Sequence, residues 1–146
     1  MNQNSRALGL AERPSVITEI LEFLVHNEIS VIQMPCPELV YAGVLRPPQT
    51  KNQYDNVMFR RRCRKIAEEL ANQVQEYEKC GIKLKLVLGV DGSPSCGVSE
   101  TSGKDSGILV EELRLALDER RISVLFYGVH CECLKDDLVK IKKYVE

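Results

Sequence analysis

Net charge is the first thing this chain has little of: 20 Lys and Arg against 21 Asp and Glu leave a formal charge of -1. A near-neutral chain exerts no bulk electrostatic pull on a nucleic acid polymer or an anionic membrane, so neither is expected as a partner. Long hydrophobic runs are missing as well. The apolar stretches are short and interrupted, which excludes a membrane-spanning helix. No basic start followed by an apolar stretch and a small-residue cleavage site is present, so the six cysteines do not read as the disulfide framework of a secreted domain. A reducing cytoplasm is the default compartment, and there clustered cysteines serve metal binding, redox chemistry or plain burial. Internal repeats and low-complexity segments are absent too.

Three catalytic signatures fail on inspection. Gly97 and Gly103-Lys104 approach a phosphate-binding loop, but the glycines are too far apart and Asp105 stands where Ser or Thr must reach magnesium. His26-x-Glu28 ahead of Pro35-Cys36 approaches a zinc deaminase, but Leu39 occupies the place of its second cysteine. No Gly-x-Ser-x-Gly elbow occurs.

What is there is one domain's worth of alternating elements over 146 residues. Three apolar, strand-like runs each end near a thiol: Ile29 to Gln33 before Cys36, Ile82 to Val90 before Cys96, and Ile122 to Val129 before Cys131 and Cys133. Helical periodicity separates them. Val16, Ile17, Ile20, Leu21, Leu24 and Val25 form one face after Pro14, with Asn27 as the stop. Phe59, Cys63, Ile66, Ala67, Leu70, Val74 and Tyr77 form a second, from an N-cap at Asp55 to a closing Gly81. A third helix starts near Asp105 or Ser106 and buries Leu109, Val110, Leu113 and Leu117; a fourth, Lys135 to Tyr144, buries Leu138, Val139 and Ile141. Cys63 and Cys80 then read as small apolar helix residues. Arg60, Arg61, Arg62, Arg64 and Lys65 read as a solvated face with pairs at Arg64–Glu68 and Lys65–Glu69.

Strands alternating with helices predict a Rossmann-like three-layer α/β sandwich whose small parallel sheet has three strands here, flanked by helices. In such a sheet the carboxyl ends of the strands share one edge, where ligands bind, so distant cysteines meet there. Two long loops follow strand ends, Pro35 to Tyr54 and Asp91 to Lys104, and long loops in a compact domain are commonly functional. The first βαβ unit lacks its opening strand, since Asn2 to Arg13 is polar and leads straight into a helix. The expectation is a single domain over residues 1–146 with an upstream strand lost at the N-terminus or supplied by a partner.

The cysteine motifs carry the chemistry. Cys36-Pro37-Glu38 sets a thiol and a carboxylate in a loop stiffened by Pro35 and Pro37; a proline-rich turn with a buried cysteine reads equally well. Ser93-Pro94-Ser95-Cys96-Gly97 places hydroxyls and one thiol in a tight turn freed by Gly92 and Gly97, whose backbone N–H groups can face cluster sulfurs or an anion. His130-Cys131-Glu132-Cys133 has metal-ligating residue types, but Cys-x-Cys is tighter than the usual zinc spacing, so strand-end packing and exposure are expected. His26 reads as a structural histidine.

Cys-Pro-Glu after one strand, joined to Ser-Pro-Ser-Cys-Gly after the next, resembles the thiouracil desulfidase family. Gly43, Leu45, Arg46 and Pro47 fit that family's proline-containing loop, and the resemblance runs from Asn2 to about Val129. It implies a 4Fe-4S cluster on three cysteines, with Cys36 and Cys96 as two metal ligands, Gly97 as part of the cofactor loop, and a third cysteine motif absent from this sequence. It further implies non-redox desulfuration of a small thiolated (C=S) substrate, a thionated nucleobase or related heterocycle, with Glu38 as general base and Ser93 or Ser95 holding substrate. A non-catalytic metal or sulfur-carrier module is the alternative, and a Cys96–His130 hydrolase pair is a third reading that requires the two to touch.

Overall fold

The computed structural model describes residues 2–99 and 105–145. In chain order come α1 (Thr18–His26), α2 (Pro37–Ala42), α3 (Lys51–Tyr54), α4 (Val57–Lys79), β1 (Leu86–Val90), α5 (Ile108–Glu119), β2 (Leu125–Val129), a 3-10 turn (Cys131–Cys133) and α6 (Leu134–Val145). The fold is mixed α/β, with β1 and β2 pairing in parallel from Leu86 opposite Leu125 to Val90 opposite Val129. Only this two-stranded sheet forms among the described residues, against the three strands expected. Ile29 to Gln33 belongs to no helix and no ladder. Its β-branched composition favours a strand, but a strand needs a partner to close its hydrogen bonds.

The helices depart from expectation at their ends. Helix α1 begins at Thr18, with the described chain at Pro14 still irregular, and it buries Ile20 and Leu24 while Val25 stands exposed. The N-cap of α4 is Asn56, whose side chain accepts from the Phe59 N–H, while Asp55 bonds Arg60 instead. Gly81 ends that helix at φ 76°, and the Ile82 N–H reaches back to the Tyr77 carbonyl. On α6, Ile141 is buried and Val139 is exposed. The loop Pro35 to Tyr54 contains two short helices, α2 and α3, that no apolar period announced.

The main layer is α4 against α5, sharing a core of Ala67, Ala71, Val74, Leu113, Ala116 and Leu117 with Val87 of β1. On the other face, Ile17, Ile20, Leu24, Val129 and Ile141 form a second cluster joined by Leu86 and Leu88. The two sides of β1 thus serve different cores, as alternating strand side chains must. The basic run on α4 does not pair within its own helix. Arg60 bonds Asp55, Glu111 and Glu112, Arg64 bonds Glu112, and Glu68 is taken by Arg120. The pairs with Glu111, Glu112 and Arg120 staple α4 to α5 and its C-cap; Arg61, Arg62 and Lys65 are solvated as expected.

Where the strands end, the backbone is packed too tightly for side chains. A Cβ on Gly89 would lie 2.0 Å from the Cys96 carbonyl oxygen, and one on Gly107 would lie 2.3 Å from the Ser95 carbonyl carbon. Both glycines therefore let β1 and the start of α5 close on the Ser93–Gly97 loop. We expect Gly89→Ala to lower stability by about 1–3 kcal/mol through overpacking, measured by urea unfolding, while Leu115→Ala at an exposed α5 position stays within about 0.5 kcal/mol. Equal stability of the two variants would contradict this packing.

Candidate functional site

The geometry of the site starts from the N-terminus of α5. Its first N–H groups have no partners within the helix. The loop supplies them: Gly107 N–H donates to Gly97 O, Ile108 N–H to Pro94 O, and Leu109 and Val110 N–H to Ser95 O, at 2.8–3.2 Å. Within the loop, Ser93 Oγ accepts from Ser95 and Cys96 N–H, and Gly97 N–H donates to Ser93 O. Gly92, at φ 84°, makes the entry turn. Gly97 is not in the left-handed region, and both its backbone groups are spent on this scaffold, so its place is structural geometry around the thiol.

Helix α2 presents the other half. Pro37 at its first position fixes the chain, and Cys36 stands as its N-cap. Glu38, buried, projects across to the loop: Ser95 Oγ donates to its Oε1 at 2.5 Å and Ser93 Oγ at 3.4 Å. A buried carboxylate requires a counter-charge, and Arg46 meets it, with Nε 3.4 Å from Glu38 Oε2. Arg46 is itself buried and fully used, giving Nη1 to Gly43 O and Nη2 to Ser5 O, with the Cys36 sulfur 3.8 Å from Nη2. On the far side, the Cys96 thiol donates to Ser93 Oγ at 3.2 Å.

Cys36, Arg46, Glu38, Ser93 and Cys96 thus form one continuous chain of polar contacts, and both thiols line a single cavity of about 1040 Å³. Five of the residues singled out from sequence, Cys36, Glu38, Ser93, Ser95 and Cys96, come together here. Sequence reasoning missed the role of Arg46, which lies in an irregular loop with no period to signal burial. It also missed Tyr54. The ring of Tyr54 packs on Phe59 at 4.7 Å, and its hydroxyl is buried with no hydrogen-bond partner among the described residues. Burial and Glu38 raise its pKa while Arg46 lowers it.

Burial is the largest influence on the Cys36 thiol and pushes its pKa up; Glu38 and Cys96 push the same way, and the Leu39 N–H and Arg46 oppose them. Cys63 is a core residue, its pKa pushed up to about 12 by burial. Cys80 and Cys133 are exposed. His130 lies between two carboxylates, Nε2 3.3 Å from Asp91 and Nδ1 3.6 Å from Asp137, while Cys96 turns to Ser93. No Cys96–His130 bond is present among the described residues.

The donor chemistry fits two ligand positions of an iron-sulfur cluster, since two thiols face one cavity and thiolates are the ordinary ligands of such clusters. Among the described residues no group of three His, Cys, Asp or Glu gathers as for a metal ion, so these residues do not complete the ligand set. No described helix is long and apolar enough to cross a membrane.

Comparison with known proteins adds to this geometry. A sequence model of the family described as "Putative 2-thiouracil desulfurase" matches residues 10–132. The chain is also similar to the Uncharacterized protein MJ0003 of Methanocaldococcus jannaschii, with 35% identity over 124 residues, 85% of this chain and 76% of that protein. No solved structure matches.

The electrostatics of Cys36 can be tested directly. Alkylation of Cys36 by iodoacetamide, followed against pH by peptide mass spectrometry, should have its midpoint above the value of about 8.5 for a free thiol. Glu38→Gln removes a negative charge and should move the midpoint down; Arg46→Met removes a positive one and should move it up. Arg46→Met should also cost about 3–5 kcal/mol, because it strands the buried Glu38 carboxylate.

Proposed function

This chain belongs to the 2-thiouracil desulfurase family, and we propose that it removes sulfur from a small thiolated compound, a thionated nucleobase or related heterocycle, exchanging C=S for C=O without net electron transfer. The observation that carries the reading is that Cys36 and Cys96 line one cavity, with the Glu38 carboxylate linked toward the first through Arg46 and toward the second through Ser93. We further propose a 4Fe-4S cluster as cofactor, with Cys36 and Cys96 as two of its ligands; when bound, it supplies a soft Lewis acid for the substrate sulfur. The described residues do not by themselves complete its ligand set.

The residues present account for the proton and water chemistry. Water adds its oxygen to the thiocarbonyl carbon as the C=S π pair moves onto sulfur, and the proton released passes through Ser93 Oγ to Glu38. Ser93 suits this relay, standing between Cys96 Sγ and Glu38 Oε1. The C–S bond then breaks as the new oxygen loses its second proton and becomes a carbonyl. Hydrosulfide leaves with one proton and the second goes to solvent, so thiocarbonyl plus water gives carbonyl plus hydrogen sulfide with no change of oxidation state. Arg46 fixes Glu38 in reach and, through the bonds of its Nη2 to Ser5 O and toward Cys36 Sγ, holds the thiol side of the site in register. Ser95 orients the carboxylate oxygen that Ser93 also uses.

The test is anaerobic reconstitution with iron and sulfide, followed by turnover of 2-thiouracil and related thiocarbonyls with sulfide counted against carbonyl product. Desulfuration should be stoichiometric, and Glu38→Gln should slow it by about 10²–10⁴-fold, the range of general base catalysis, with the cluster spectrum retained. A cluster-bearing protein that turns over no thiolated compound would replace the enzyme by a carrier module. Undiminished turnover in Glu38→Gln would remove Glu38 as the base.

A further inference from the structure

The cavity behind the thiols is a slot between two stretches of backbone. One wall is residues 29–35, the other residues 82–90, and most of the lining is apolar. The edge of β1 that faces this slot is the one that β2 does not use. In the parallel register, Asp91 N–H donates to Val129 O, so Val87, Gly89 and Asp91 face β2 while Leu86, Leu88 and Val90 face away. Val90 N–H is satisfied by Cys96 O; those of Leu86 and Leu88 find no partner among the described residues. Across the slot, Ser30 to Pro35 makes no backbone–backbone bond among the described residues either. Leu86 and Leu88 are half-buried, and an open strand edge with unpaired N–H and C=O groups is a template for a further strand, so two unpaired rows along one apolar slot mark a place where a third row belongs.

The side chains agree. The slot separates the core that holds Val87, Met34 and Leu113 from the core that holds Leu86, Leu88 and Ile29. An occupant must therefore present apolar groups alternately to two opposite faces while offering N–H and C=O at both edges. A β-strand does this with its period of two. A helix consumes its own hydrogen bonds, and a small apolar molecule has none to give.

We propose that this slot is a strand-accepting site: it binds one extended apolar peptide segment of about five residues, parallel to β1, as a new strand between β1 and residues 29–34 that continues the β1–β2 ladder. This is strand addition to an open sheet edge, in which backbone bonds give affinity and alternate side-chain pockets give specificity. The carboxyl end of the added strand reaches the rim where Cys36 and Cys96 stand, since β1 itself ends there.

The experiment uses the 146-residue chain and a soluble probe peptide, Lys-Val-Ile-Val-Ile-Val-Lys with blocked ends, beside the same peptide N-methylated at alternate residues. The methylated form keeps the side chains and loses one edge of donors. A third arm joins the unmodified peptide ahead of Met1 through a Gly-Ser linker, raising its effective concentration to about the millimolar range; Asn2 lines the slot, so the tether is short. Bound peptide should form a one-to-one complex and slow hydrogen exchange at the Leu86 and Leu88 amides at least tenfold, with the methylated form at least tenfold less effective. Equal protection by both peptides would reduce the slot to a hydrophobic sink and overturn the proposal. So would unprotected amides in both the free-peptide and tethered arms. Protection already present in the peptide-free protein, rising with protein concentration alongside dimer formation, would assign the slot to a second copy instead. None of these readouts depends on turnover, so the proposed desulfuration stands or falls separately.

Discussion

A buried carboxylate organises this molecule around itself. Glu38 is out of solvent, and a charge there is tolerated only if every oxygen is matched. Arg46 from one loop and Ser93 and Ser95 from another do the matching. The consequence is geometric. Helix α2, which carries Cys36, cannot move relative to the turn that carries Cys96 without unpairing a charge. That turn is in its own way fixed, because its carbonyls cap α5 and because Gly89 and Gly107 admit its backbone at distances no side chain would allow. Two thiols about sixty residues apart in sequence owe their common cavity to this one ion pair and the helix end beneath it.

Much of that arrangement was legible in the sequence, and the reason is that motif and period are local. The long periodic faces of α4 and α5 specified their own cores, and Cys63 fell inside one as a small apolar residue. The thiol motifs after successive apolar runs placed Cys36 and Cys96 at one end of the molecule. What was not legible depended on partners distant in sequence. Helix spacing pointed Arg64 to Glu68, but Glu112 on the neighbouring helix offers a buried carboxylate, and a buried acceptor outcompetes an exposed one. Arg46 sits in irregular chain and Tyr54 ends the four-residue α3, both too short of periodic sequence to distinguish an interior side chain from a solvated one. The strand expected at Ile29 to Gln33 failed for a related reason: composition can favour extended chain, but a ladder is a property of two segments.

His130 shows the same division. Its neighbours Cys131 and Cys133 look like ligands on paper, yet the 3-10 turn leading into α6 leaves Cys133 exposed and gives the histidine to Asp91 and Asp137. Asp137 also accepts from Tyr127 Oη at 2.5 Å and from His130 N–H at 2.7 Å, and together burial and this carboxylate raise the Tyr127 pKa. Asp91 in turn accepts from the Val98 and Ser99 N–H groups. The cluster therefore works as a structural clasp that ties the end of β2 to the far side of the Cys96 loop.

The slot and the thiol site are not independent features of the fold. Electrostatic groups act most strongly where water is excluded, and Cys36 and Cys96 line the same cavity as the unpaired edge of β1. An added strand pairs the Leu86 and Leu88 amides, joins the two apolar cores into one, and at the same time closes the floor of the site, lowering the dielectric around Glu38 and both sulfurs. Filling the sheet and drying the site are then a single event. The extended segment proposed for the slot would act on the thiols through this exclusion of water, without touching them.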